Sequence, residues 1–184
     1  MVTENKMARS DMKQLVLFAF LLSAFSASAR VLMTQEQALA AAFPPPVKVT
    51  REKFFLTPRQ LAAAKGESGV AFDDQLIVRY ASSDGRYAYF DTHRVRTMPE
   101  TVMIVVKSDG SIERIDILSF DEPTDYFPKP RWIDQLRGRK LDRDLALDRA
   151  VRPISGASLT GRAIVNASRK VLALHHVLAG AAPR

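Results

Sequence analysis

The residues with the clearest chemical potential are Ser155-Gly156-Ala157-Ser158-Leu159-Thr160, three hydroxyl side chains and a glycine within six positions. The run that follows, Gly161 to Leu178, repeats apolar side chains at Ile164, Ala167, Val171, Leu174 and Leu178. That spacing of three and four predicts an amphipathic helix. A small-residue turn feeding a helix N-terminus is a phosphate seat, because the first backbone N–H groups lack intrahelical partners and the helix dipole adds partial positive charge. Gly156 permits positive φ or close approach of the backbone to a ligand. Ser155 and Ser158 can cap the helix or donate to phosphate oxygens. An ordinary capped helix is the competing reading of the same hexapeptide.

Other reactive patterns are missing from the sequence. There is no cysteine, which excludes disulfides, thiolate-held metal clusters and a lipoprotein anchor. There is no Gly-x-Ser-x-Gly and no carboxylate pair at a recognisable spacing. The three histidines, His93, His175 and His176, lack metal-ligand spacing, so neither a metal nor a catalytic residue is expected. Two further stretches concentrate polar and aromatic residues. One is Thr92-His93-Arg94-Val95-Arg96-Thr97-Met98-Pro99-Glu100-Thr101. The other is Phe120-Asp121-Glu122-Pro123-Thr124-Asp125-Tyr126 leading to Pro130-Arg131-Trp132-Ile133-Asp134-Gln135-Leu136-Arg137-Gly138. Glu122 at a strand end can accept a hydrogen bond from a ligand, and Tyr126 or Trp132 can cover an aromatic face. Trp132 alternatively belongs to the core of a short helix started by Pro130.

The hexapeptide resembles the Ser/Thr-Gly-Ala-Ser/Thr-x-Ser/Thr motif of FMN-binding domains. That family includes the FMN-carrying subunits of Na+-translocating NADH:quinone reductase and of the Rnf complex, and many small exported flavoproteins. The Thr-His-x-Val-Arg-Thr stretch and the Glu-Pro…Tyr…Trp…Gln…Gly arrangement are similar to those of the exported members. The resemblance covers parts of Asp74 to Leu178. It implies FMN held by Ser155, Gly156, Ala157, Ser158, Leu159 and Thr160, with the phosphoester on Thr160, made by a flavin transferase that takes FMN from FAD. It makes Arg96 a candidate for the flavin ring or phosphate, and assigns Glu122 and Tyr126 to the same site. Ser158 stands where Thr is commoner, and Arg152 stands where the motif often has an acidic residue; Asp148 is out of register. Arg152 and Arg162 are the cations nearest the motif in sequence.

The elements that must position these residues are readable from pattern. Thr34-Gln35-Glu36-Gln37 is a capping box before the short helix Ala38 to Phe43, which Pro44-Pro45-Pro46 ends. Val47 to Phe55 reads as a strand or extended segment. Thr57-Pro58 starts a second short helix, Arg59 to Lys65, ended by Gly66 and Gly69. Gln75 to Ala81 and Arg86 to Thr92 form a hairpin around Ser82-Ser83-Asp84-Gly85, and Thr101 to Lys107 and Ile112 to Phe120 form another around Asp109-Gly110. The inward side chains are Leu76, Val78, Tyr87, Tyr89, Val102, Ile104, Val106, Ile115 and Ile117, or their alternates. Lys140 to Arg149 reads as a solvated connector or helix. The order of elements predicts an α+β fold, an antiparallel sheet flanked by helices, with the cofactor loop at the N-terminus of the last long helix.

Residues 1–29 read as a secretory signal peptide, from Lys6, Arg9 and Lys13, the apolar run Leu15 to Phe25, and Ala27-Ser28-Ala29. The run is short for a transmembrane helix, and an uncleaved signal anchor in the membrane is the alternative. Residues 30–70 follow as a helical and extended segment, and 71–180 as the FMN-binding domain. Cleavage after Ala29 removes three basic and two acidic side chains, taking the formal charge from +7 to +6. Such a surface suits an anionic cofactor, a membrane surface or an acidic partner. The basic residues are scattered rather than striped with aromatics, so no nucleic-acid partner is expected.

Together with the N-terminal segment, the resemblance implies an exported, periplasmic or extracytoplasmic electron-transfer flavoprotein. It would relay electrons between a membrane electron-transport component and an extracytoplasmic acceptor or cytochrome-like partner. Two alternatives remain at this point: a flavin-dependent reductase acting on its own substrate, with His93 or Arg96 as proton donor, and a non-catalytic anion-binding module.

Overall fold

The computed structural model describes residues 30–181 and residue 183; residues 1–29, expected from sequence to be a signal peptide, lie outside the described residues. Five strands form one antiparallel sheet in sequence order: β1 (Val49–Phe55), β2 (Leu76–Ser82), β3 (Tyr87–Arg94), β4 (Pro99–Val106) and β5 (Ile112–Phe120). The helices are α1 (Gln35–Ala42), α2 (Pro58–Ser68), the single turn α3 (Pro130–Ile133) and α4 (Ser158–Leu178). This is the α+β arrangement expected, with the hydroxyl-rich loop opening the last long helix.

Both faces of the sheet are covered, which explains the unbroken apolar run Val102 to Val106 in β4. On one face Tyr89, Val102, Ile104, Val106, Ile115 and Ile117 pack with Ile164, Val165, Val171 and Leu174 of α4. On the other, Ala88, Met103, Val105 and Leu118 pack with Ala38 and Ala42 of α1 and with Phe43 just after it. Strand β2 uses its alternate residues: Ile77 is buried while Leu76 is 48% exposed. The reason is register, since Ile77 pairs with the core residue Phe54 and Leu76 with the exposed Phe55.

Several boundaries differ from the pattern reading. The stretch Thr92 to Thr101 is a third hairpin: β3 runs to Arg94, β4 starts at Pro99, and a four-residue turn joins them. Proline is accommodated there as the first residue of a strand. Helix α2 passes through Gly66 and stops at Gly69, which has φ of 67°. Helix α4 starts at Ser158, one turn before Gly161. Lys140 to Arg149 contains neither helix nor strand. Instead Leu145 inserts into the main core, and the Arg169 guanidinium donates to the carbonyls of Asp142 and Leu145.

Candidate functional site

The hexapeptide, the β3–β4 turn and the segment after β5 converge on one small cavity. It is lined by Val95, Arg96, Glu122, Tyr126, Gly156, Ala157, Ser158, Leu159 and Thr160, and has a volume of about 30 Å³. Eight of these were singled out from sequence. Val95 was not, because an apolar residue in a polar turn carries no chemical signal of its own. Ser155, exposed at the start of the loop, does not line the cavity.

The helix end on this cavity is open. The first intrahelical bond of α4 runs from the Gly161 N–H to the Ala157 carbonyl, and no side chain caps the helix. Ser155 and Ser158 therefore do not cap it, because the N-cap position falls on Ala157, which has no acceptor. The N–H groups of Ser158, Leu159 and Thr160 find no protein acceptor among the described residues. Gly156 has φ of 78°, and a Cβ placed on it would meet no atom within 4 Å. The glycine answers to conformation rather than to crowding. Thr160, third residue of the helix, is 1% exposed.

Glu122 fixes the opposite wall. Its Oε1 accepts from the backbone N–H groups of Arg96, Thr97 and Met98 at 3.1, 3.0 and 3.2 Å. Burial pushes this carboxyl up, but the three N–H donors outweigh it and hold it below the ordinary glutamate value. Glu122 is thus an ionised clamp on the turn, and only Oε2 is left for a ligand. Arg96 is held by this clamp and by its guanidinium, 5.0 Å from the centroid of the Tyr126 ring. Its charge is aimed where the open helix end already favours an anion.

Behind the loop, Trp132 acts as a post. Its Nε1 donates to the Arg152 carbonyl at 2.6 Å, while the Arg152 N–H donates to Gln135 Oε1 at 3.0 Å. A Cβ on Gly161 would lie 3.1 Å from Trp132 Cζ2. Trp132 therefore packs against the core rather than facing the cavity, and sets the path of the chain into the loop. Arg152 points with it to a separate surface depression lined by Lys129, Arg131 and Arg139. Neither Arg152 nor Arg162 lines the seat; Arg96 is the cation there. The role of Gly161 was hidden from sequence, since the side chain that crowds it most is a tryptophan 29 positions earlier in the chain.

Fold and site together define an α+β domain with an anion seat at an uncapped helix N-terminus. Residues 98–173 match the family model described as FMN-binding domain. FMN is the cofactor of such a domain. Arg96 lies just ahead of the matched segment, whereas Glu122, Tyr126 and the whole hexapeptide fall inside it. The searches of curated proteins and of solved structures return no match to this chain.

The residues present fit the phosphate end of FMN. Three unpaired N–H groups, a glycine in the left-handed region and one arginine supply the donors and charge that a phosphate requires. A cavity of about 30 Å³ is roughly the share of one water in the liquid. It seats phosphate oxygens, not a ring system. Leu159, 41% exposed, and Tyr126 supply apolar surface at its edge.

Proposed function

We propose that this protein is an exported electron carrier whose FMN is attached through a phosphoester to Thr160. The observation that carries the reading is the uncapped first turn of α4, which has Thr160 inside it. A hydroxyl at the third helical position belongs to the same turn as the three free N–H groups, so the phosphate it bears stays within their reach and within the dipole. Esterification leaves the phosphate one negative charge instead of two, a load that a single Arg96 and a helix end can balance.

When bound, FMN supplies the redox chemistry, and the chain supplies binding, orientation and electrostatics. Glu122 holds the turn that presents Arg96, Tyr126 supports the guanidinium, and Trp132 keeps Gly161 and the loop in register. Because Thr160 is almost fully buried, a flavin transferase reaches it by displacing the exposed residues Ser155, Ser158 and Leu159. The small seat leaves most of the ring outside the protein, which suits exchange of electrons with a partner more than a private substrate. That partner is a membrane electron-transport component on one side and a cytochrome-like acceptor on the other.

Protein exported from a host with an active flavin transferase tests the reading. The expected product starts at Arg30 and stays yellow through acid precipitation. Colour that is released by acid contradicts the covalent bond. Met1 on membrane-bound protein contradicts cleavage and leaves the alternative of an anchor.

A further inference from the structure

The depression that Trp132 shares with Arg152 is lined also by Lys129, Arg131 and Arg139, and no acidic residue is among the side chains that form it. Its volume is about 610 Å³, against about 30 Å³ for the seat. Charges of one sign gathered in one place repel each other, a cost to the fold unless something outside answers them. Elsewhere the molecule answers its own cations. Lys65, Arg79, Arg86, Arg114 and Lys170 each have a carboxylate oxygen at 2.6 or 2.7 Å. Among the described residues no carboxylate lies within 4.0 Å of any of the four cations in the depression. The acid in the same turn, Asp134, lines a different depression against β5 and pairs with Arg137 at 3.6 Å.

Neutral groups hold this surface in shape. Arg139 donates from Nε to the Gln135 carbonyl and from Nη2 to the Ala150 carbonyl, both at 3.2 Å. Gln135 Oε1 accepts from the Arg152 N–H, and the Arg152 carbonyl accepts from Trp132 Nε1. A guanidinium bound to carbonyls is fixed in place yet keeps its whole charge, and Arg139 retains Nη1 for an outside acceptor. The side chains of Lys129, Arg131 and Arg152 are exposed and make no hydrogen bond among the described residues.

The depression adjoins the seat. Arg152 is three residues before Ser155, at most about 11 Å of chain. Trp132 also lies against Gly161, the residue after Thr160. Phe127, two residues before Lys129, and Leu159, on the seat, are large apolar side chains left exposed on the same segments. A charged rim with apolar side chains beside it is the make-up of a protein–protein contact. One phosphate would leave most of this volume empty, and a lipid headgroup layer is flat where this surface is concave. Spaced carboxylates fill it, because guanidinium groups take carboxylates in bidentate pairs.

We propose that this depression docks an acidic segment of a partner protein, its Asp or Glu carboxylates on Arg131, Arg139 and Arg152, so that the partner lies beside the mouth of the seat. The surface and its test stand apart from the flavin reading, because neither needs a bound cofactor. A cleft lined by one sign of charge speeds encounter with such a partner, and salt weakens the attraction.

Trp132 is the only tryptophan of the chain, so its fluorescence reports on the depression directly. The probe is a soluble peptide of alternating glutamate and serine, with a glutamine–serine peptide of the same length as neutral control. The glutamate peptide is expected to shift the Trp132 emission with a Kd that weakens as salt rises, and the glutamine peptide to leave it unmoved. The variant K129Q/R131Q/R152Q removes no internal hydrogen bond of a side chain and is expected to weaken the glutamate peptide about tenfold, the sum of three exposed ion pairs. The depression is tied to β5, where the Ile112 N–H donates to the Arg139 carbonyl. The control K48Q/R51Q/K53Q removes the same charge from exposed positions on and beside β1, the opposite edge of the sheet, and is expected to weaken the peptide less than about twofold. Equal losses in the two variants reduce the effect to net charge and overturn the docking site, as does an emission that the glutamate peptide leaves unmoved. Tighter binding of tripolyphosphate, or of phosphatidylglycerol vesicles, overturns it in favour of a phosphate ligand or a membrane. Should the first variant fail to fold, the wild type decides, since an equal response to both peptides overturns the proposal. A protein that binds the glutamate peptide but takes up no flavin overturns the reading of the seat alone.

Discussion

Three helices of this protein begin in two different ways. Helices α1 and α2 open with complete capping boxes, Thr34 with Gln37 and Thr57 with Gln60, each side chain bonding the other's backbone. Helix α4 is the longest of the three at 21 residues, and its first turn has no side-chain cap at all. Hydroxyls were at hand, since Ser155 and Ser158 flank the position, yet Ala157 occupies it. A missing cap costs about 1 kcal/mol. On the proposed reading the open N–H groups of α4 serve an external anion, whereas those of α1 and α2 serve only the fold.

The sharpest way to break that contrast is at the loop. Gly156→Val puts a β-branched side chain at φ of 78° and is expected to abolish flavin incorporation. No atom lies within 4 Å of the new Cβ, so the circular dichroism spectrum should remain that of the wild type. Normal flavin content in that variant would show that Gly156 merely ends a turn. Ala157→Ser converts α4 to the other kind of helix. A serine oxygen then competes with phosphate for the same N–H groups, and the affinity of apo protein for FMN is expected to fall about fivefold, the equivalent of one cap. Isothermal titration reads it.

Thr57→Ala is the reciprocal experiment. It should lower stability by about 1 kcal/mol in a urea melt while leaving flavin content untouched. Equal flavin loss from Thr57→Ala and Ala157→Ser would erase the distinction between the two kinds of helix start.

A smaller effect separates the two polar systems under α4 by pH. Burial lowers His175 to about 4 from an ordinary 6.5, so the folded state binds fewer protons than the unfolded, and stability rises as pH climbs through that interval. His93 behaves oppositely: burial opposes its charge, but its bonds to Asp91 and Glu100, both 2.9 Å, outweigh burial. Its folded value of about 9 means that the stabilisation is complete below 6.5 and is lost as pH rises towards 9; the raised Glu100 acts in the same direction. Thermal melts of the apo protein should therefore peak near the crossover, and His93→Gln should flatten the alkaline limb only. An unchanged alkaline limb would mean that another group sets it.

The same contrast explains what the sequence revealed. Capping boxes, hairpin turns and the helical period of α4 are local, and Thr34, Thr57, Asp109-Gly110 and Ile164 to Leu178 announced them correctly. Apart from Val95 the residues lining the cavity were legible as well, through the resemblance of the hexapeptide and of the stretches around Arg96 and Glu122 to FMN-binding domains. Features set by pairing across distance were not. Whether β2 buries Leu76 or Ile77 depends on its register against β1. The His93–Glu100 contact depends on a four-residue turn that read as a longer link. Arg152 and Arg162 seemed the natural phosphate partners by proximity in sequence, but a backbone hydrogen bond from Trp132 fixes the path of the chain at Arg152, and Arg162 projects outward on α4.

The central claim, that Thr160 carries the flavin, is tested most directly by intact mass under denaturing conditions. Wild type, Ser158→Ala and Thr160→Ala would be exported side by side from a host with an active flavin transferase. Ser158 lines the cavity without capping the helix, so its variant controls for the loss of any loop hydroxyl. Wild type and at least part of Ser158→Ala are expected to carry the added mass of one FMN less one water, and Thr160→Ala none. FMN mass retained on Thr160→Ala, or missing from wild type despite an active transferase, would contradict the claim.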